Sequence, residues 1–367
     1  MDIIKKTRST QRLAVHAAEQ PACKPNARRH SSKQLFYATN KQIAKYIDMN
    51  KRLNCLFVLF LMSGNIFGQY DSNMNIWIDD LEIALSEPER VFNLDLSNSG
   101  LESIPEYLNR FPNLQSLKLS DNNIDSLNEN ISGLRKLEYL DLCGNKIRKI
   151  NFQYLSGLNY SLKELWLRDN DLKYINSEIN VLESLEVLNL GSNNIRDIDS
   201  GVSLARLREL VLDGNELRRV PELINASSRL IKLNLNNNQI ESFKLTRYNR
   251  NLIELNIGDN PLIDFEVEPI KYKLEILIFD WVRLEDNWLE QFPSTLRVLS
   301  IEHCDLKSIQ KLSHLNSLRE LSIISNEIVT IIDMAGKLKK LNKIWIGNNE
   351  IPLDEIVELE KRYNVIY

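Results

Sequence analysis

Few residues in this 367-residue chain have the types and spacings that do chemistry. Past residue 68 the histidines are His303 and His314, and no HExxH, GxSxG, GxxxxGKS/T or CxxC pattern accompanies them. Those spacings place two imidazoles on one metal, a serine on a sharp turn, or backbone amides around a phosphate, so none of that chemistry is expected. Carboxylates are abundant, 50 Asp plus Glu in all, but they recur at periodic surface positions, as solvated acids do. The string Asp121-Asn122-Asn123 has the residue types of a calcium loop, yet it lacks the glycine and the closing glutamate of an EF-hand. The expectation is no catalytic residue, no metal and no cofactor; the chain does not read as an enzyme.

What the sequence does carry is a repeat. The pattern LxxLxLxxN/CxL occurs twelve times between Val91 and Ile351. Its first apolar positions are Val91, Leu114, Leu137, Leu162, Leu185, Leu207, Leu230, Leu252, Leu274, Leu296, Leu318 and Leu341. The interval is 22 or 23 residues in ten of eleven cases; the exception, 25, puts two extra residues around Asn159 and Tyr160, where a convex loop can absorb them. Apolar pairs three and five residues after each start, such as Leu117 with Leu119 or Leu321 with Ile323, alternate as in a short strand with one face buried. A unit this small cannot bury its own apolar face, so neighbours must stack on it and the product is a solenoid.

The ninth position of the unit is Asn in nine copies: Asn122, Asn145, Asn170, Asn193, Asn215, Asn238, Asn260, Asn326 and Asn349. An inward-pointing Asn, with two donors and one acceptor oxygen, suits the backbone groups exposed where the chain leaves the strand. Stacked copies make a ladder, in which Cys304 takes the same place. With copies such as LQSLKLSDNNI, LEVLNLGSNNI and LRELVLDGNEL, the chain resembles the leucine-rich-repeat family over about 280 residues. That resemblance implies an α/β repeat fold: a right-handed, curved solenoid of about 12 repeats plus caps, with a concave parallel β-sheet. At ~4.8 Å per strand the inner arc would be ~55 Å long, room for a folded partner.

The second, third and fifth residues of each unit are expected on the concave wall. Most are polar, and two clusters break the pattern. One combines Tyr139, Trp166, Val187 and Val211; the other combines Ile276, Ile278 and Val298 with Trp345 further along, and with Trp281 and Ile324 at strand exits. Tyr and Trp offer large contact area with few rotors to freeze, which favours them as interface anchors. Equally, strand-forming residues can simply pack on each other across a sheet. The ninth unit stands out, because its ladder position is Val282 and the stretch FDWVRLEDNWLEQFP departs from the consensus. Such a broken rung either shapes a site or is tolerated drift.

Both ends of the array carry cap-like sequence. At residues 69–90, Trp77, Leu81, Ala84 and Leu85 fall at helical spacing ahead of Pro88; at residues 353–367, Leu353, Ile356, Val357 and Tyr363 read as an amphipathic turn or two followed by a strand. The array between them covers residues 91–352. With 43% hydrophobic and 26% charged residues and no second composition regime after residue 70, one domain is expected.

Residues 49–68 differ. A basic start at Lys51 and Arg52, an apolar stretch over 53–62 and small residues before Gln69 form the anatomy of a secretory signal peptide, too short to span a bilayer. Cleavage is expected after Gly68, with Gly64 as the alternative. Residues 1–48 are then either upstream of the true start at Met49 or a basic extension. Once residues 1–68 are removed, the remainder holds 46 − 12 = 34 basic and 50 − 3 = 47 acidic residues, a formal charge of −13. An acidic surface repels phosphate backbones, so nucleic acid is not an expected partner.

Three functions follow in order. The first is an exported, secreted or cell-surface recognition protein without a membrane span, binding a protein through its concave wall, with a glycan as the second ligand class. The second is an intracellular scaffold or regulatory subunit, similar to phosphatase-binding leucine-rich-repeat proteins. The third, an effector enzyme similar to the repeat-containing ubiquitin ligases, needs a catalytic domain beyond the array.

Overall fold

The computed structural model describes residues 76–367. The expected signal segment, its cleavage site and residues 1–48 lie outside the described residues.

Thirteen strands form one parallel sheet in chain order. They are β1 (Asn93–Asp95), β2 (Ser116–Lys118), β3 (Tyr139–Asp141), β4 (Glu164–Trp166), β5 (Val187–Asn189), β6 (Glu209–Val211), β7 (Lys232–Asn234), β8 (Glu254–Asn256), β9 (Ile276–Ile278), β10 (Val298–Ser300), β11 (Glu320–Ser322), β12 (Lys343–Trp345) and β13 (Asn364–Ile366). The first twelve each begin two residues after a start read from the sequence. Every strand is in register with the next, so the same repeat positions form rows across the sheet: Leu94 pairs with Leu117, Leu117 with Leu140, Leu140 with Leu165. The apolar residues of the first, fourth and sixth positions are buried in a single core that runs the length of the array.

Behind the sheet the chain returns mainly in short 3₁₀ turns, such as Glu106–Arg110 and Phe152–Leu158, with helical turns at Leu223–Ala226, Asp286–Leu289 and Ile332–Ala335. Two small parallel pairs, Tyr174–Ile175 with Asp197–Ile198 and Ser242–Leu245 with Asp264–Val267, also lie on these return segments. The longer interval is absorbed where expected: Tyr160 is 72% exposed at the end of the Phe152–Leu158 turn.

The asparagine ladder ties each repeat to the one before it. Asn193 is typical: its Oδ1 accepts from the Leu172 amide at 3.0 Å, while its Nδ2 donates to the carbonyls of Leu167, Leu190 and Gly191. Cys304 keeps the donating half of this role, its thiol reaching the Phe279 and Glu302 carbonyls. Val282 can do neither. The Leu262 amide, whose counterparts at Ile240 and Leu306 bond to a ladder asparagine, instead donates to the Asn260 carbonyl at 2.8 Å.

The unusual sequence around Val282 is a core feature. Phe265 meets Phe279 edge-on at 4.9 Å and also packs on Phe292 and Trp288, both at 5.9 Å, with Phe243 stacked behind it at 6.2 Å. Aromatic volume fills the space under the broken rung, and β9 pairs normally with β8 and β10.

At the N-terminal end the helix Leu81–Ser86 is capped by Asp80, whose Oδ1 accepts from the Glu82 and Ile83 amides, and it buries Ala84. Trp77, placed on this helix by its spacing, lies ahead of it. There the backbone of Ile78 bonds to Asn93 and Asp95 and adds a bridge beside β1. At the C-terminal end the helix Leu353–Glu360 buries Leu359 and partly buries Ile356, whereas Leu353 and Val357 are exposed. The expected amphipathic face is rotated, because the helix packs through Leu359 and Tyr363, whose hydroxyl donates to the Ala335 carbonyl.

Candidate functional site

The third and fifth residues of each repeat line the open face of the sheet, and the eighth sits in the turn beyond it. At the fifth position Asp95, Asp141, Asn189, Asn234 and Asn256 each accept from the amide two residues later. These side chains shape the strand exit before they can greet a ligand. Burial pushes the Asp141 carboxyl above the usual carboxylate range.

The first cluster is closed on itself. Tyr139 and Trp166 approach at 6.4 Å between ring centroids, and the Trp166 indole donates to Glu164. Trp77 meets Tyr139 edge-on at 6.1 Å and carries the Lys118 ammonium over its ring at 4.0 Å. Trp166 and Val211 are buried, while Tyr139 and Val187 are half-buried. Sequence reasoning missed Trp77 and Lys118 here, since residues on different strands declare no adjacency in a linear pattern.

Charged pairs run alongside the first cluster and on toward the second. Lys232 stands 3.9 Å from Glu209 and 4.0 Å from Glu254. Over Gly191, the Arg168 guanidinium reaches Asp213 at 2.9 Å and 3.0 Å, spanning three repeats. A side chain at Gly191 would run into both partners.

The second cluster is more open. Ile276 pairs directly with Val298, and both are half-buried, as are Ile278 and Ile324. Along the fifth-position row Ile278 is followed by Ser300, Ser322 and then Trp345, three strands or ~14 Å away. Trp345 itself is buried beneath the Lys343 ammonium, 4.2 Å from its ring.

Trp281 is the exception among the ten residues of the two clusters, at 61% exposed. It stacks on His303 at 3.7 Å with the rings 10° from parallel. Beside the pair, Asp280 accepts from the Ser300 hydroxyl at 2.7 Å and the Glu302 amide at 2.9 Å, and Glu302 accepts in turn from the Ser322 hydroxyl. Burial, with Glu302 nearby, pushes the Asp280 carboxyl up to about 6.

Nothing in this region resembles a reaction centre. Cys304 is buried and its thiol is pushed up to about 12 by desolvation, so it is a donor rather than a nucleophile. Cys143 is buried as well. Among the described residues no group of His, Cys, Asp and Glu is arranged to hold a metal, and no helix is long and apolar enough to cross a membrane.

Set beside known proteins, the chain matches the leucine rich repeat family model at residues 89–147 and 160–217. An internalin from Listeria monocytogenes has a similar structure, with 21% identity and a TM-score of 0.58, over 77% of this chain and 88% of that one. A TLR13 chain in complex with ssRNA13 is similar at 22% identity and a TM-score of 0.50, over 79% of this chain but only 52% of that one. No curated protein matches in sequence. The parallel sheet and the asparagine ladder, with the family match over two stretches, show that this chain has the leucine-rich-repeat fold.

Proposed function

We propose that this chain is an exported, non-enzymatic recognition protein that binds a partner protein across the open face of its sheet, chiefly at β9 and β10 and the turns that follow them. The observation that carries the reading is the coincidence of half-buried Ile276, Ile278 and Val298 with the exposed Trp281. Contiguous apolar surface rimmed by charge marks contact sites, whereas isolated exposed residues do not. Tyr139, Trp166, Val187 and Val211 have a supporting role in this proposal, because Tyr139 packs on both Trp77 and Trp166, and Trp166 and Val211 are buried. Export rests on residues 49–68. A protein is favoured over a nucleic acid because the acidic balance opposes phosphate, whatever TLR13 holds in its complex.

The test is photo-crosslinking on native cells or their medium, with a crosslinking residue at position 278 and, for comparison, at Tyr160. A discrete protein adduct from 278 alone, lost on Ile276→Ser, is the expected result. Adducts from Tyr160 alone, or from neither position, would overturn the assignment of the face. Export is checked separately by the N-terminal sequence of the recovered protein, expected at or near Gln69.

A further inference from the structure

The eighth position of every repeat lies in the left-handed backbone region. From Asn98 through Asp121, Gly144, Asp169, Ser192, Gly214, Asn237 and Asp259 to Ser325 and Asn348, it is filled by Gly, Ser, Asn or Asp, which are small or visit this region at low cost. Two repeats depart from this, with Trp281 at φ 61° and His303 at φ 55°. A bulky side chain in this region carries a conformational cost that Gly or Asn would avoid. The sequence nevertheless holds an indole there, 61% exposed, and follows it with an imidazole that stacks on it. One face of the indole is covered by His303, from the following repeat. The residue at the corresponding position of the preceding repeat is the exposed Asp259.

Charge around the pair is one-sided. Across the turns at 257–262, 279–284 and 301–306 the acids are Asp259, Asp280, Glu302 and Asp305, and the fixed base is Arg283, at the tenth position of its repeat as Asp305 is of the next. A flat aromatic platform bordered by carboxylates is complementary to a cation, which gains from the ring quadrupole and from the acids together. A planar guanidinium suits it better than an ammonium, since it can lie flat on the indole while its edge nitrogens reach the acids.

Resting on the recognition reading above, we propose that Trp281 and His303 form an anchor for an arginine side chain of the partner protein, held on the open indole face and paired with the neighbouring carboxylates. The aromatic pair then fixes where the partner sits, while Ile276, Ile278 and Val298 supply apolar contact beside it.

The probe is a set of three peptides, Gly-Gly-Arg-Gly-Gly and its lysine and citrulline counterparts, titrated into the protein at low salt. The readout is the NMR shift of the Trp281 indole N–H and the His303 ring C–H, assigned by loss in Trp281→Asn and His303→Asn. The arginine peptide is expected to shift both signals saturably, lysine more weakly, and citrulline, of the same shape without the charge, at least tenfold more weakly. Trp281→Asn should abolish the response while its melting temperature stays the same or rises, because Asn suits the left-handed backbone. Equal shifts from citrulline, equal shifts from a neutral sugar such as methyl glucoside, or no shift from arginine would each overturn the proposal. The measurement needs no partner, so its outcome is independent of the crosslinking at position 278.

Discussion

Asp280 shows how a single residue can link a local bond to the behaviour of the fold. In five repeats an Asx side chain at the fifth position caps its own strand exit; β10 ends in Ser300, which is too short, and Asp280 reaches over from the previous repeat to do so. That service costs it solvent. Its folded-state value near 6 stands above the ordinary 3.8, so the folded protein binds this proton more readily than the unfolded chain. Stability from this group is therefore greatest below about pH 4 and is lost as the pH rises through 6. Asp280→Asn keeps an acceptor oxygen and removes the titration. The wild type should lose stability relative to this variant between pH 4 and pH 6.5, on the order of 2 kcal/mol at most. Urea midpoints at half-unit steps test it; parallel profiles would show that Asp280 ionises normally.

At the scale of the element, the ninth repeat shows what the sequence pattern can and cannot say. The strand positions and the asparagine ladder were legible, because both repeat at a fixed period and are settled within one unit and its neighbour. The aromatic cluster beneath β9 was not, since Phe243, Phe265, Phe279, Trp288 and Phe292 come from three repeats and meet only when the array is stacked. Nor was the burial of Trp166, Val211 and Trp345, which depends on side chains about 23 residues away on the adjoining strands rather than on local alternation. Helical spacing alone puts Trp77 on the first helix, whereas the backbone at Ile78 has a strand edge to pair with. The cluster predicts a measurable asymmetry. Phe279→Ala should cost about 3–5 kcal/mol, the range for emptying a well-packed aromatic site, although its rung has no asparagine. A loss under about 1 kcal/mol in chemical denaturation would mean that the aromatic packing does not replace the missing rung.

The molecule as a whole is a chain of nearest neighbours, and this governs how damage spreads. Each ladder asparagine bonds only within its own repeat and the one before, so the ladder hands stability on from unit to unit, with the Arg168–Asp213 pair over Gly191 as an added tie across three repeats. In such a system the cost of a lost rung is local, but its consequence depends on place, because an end unit can open alone whereas opening a central unit separates the folded stretches on either side of it. Asn193 lies mid-array and is buried; Asn349 lies in the last strand-and-ladder unit, half-buried, with the same bonds to the Ile328 amide and to the Ile323, Ile346 and Gly347 carbonyls. Removing either side chain leaves backbone groups unpaired, worth about 1–3 kcal/mol. Asn349→Ala should therefore speed amide hydrogen exchange in β12, β13 and the helix Leu353–Glu360 while β9 and β10 stay protected. Asn193→Ala should raise exchange on both sides of β5 and lower the midpoint of the whole transition. Were both variants to accelerate exchange evenly from β1 to β13, the array would be opening as a single cooperative body. The face at β9 and β10 could not then keep its shape while the C-terminal end frays.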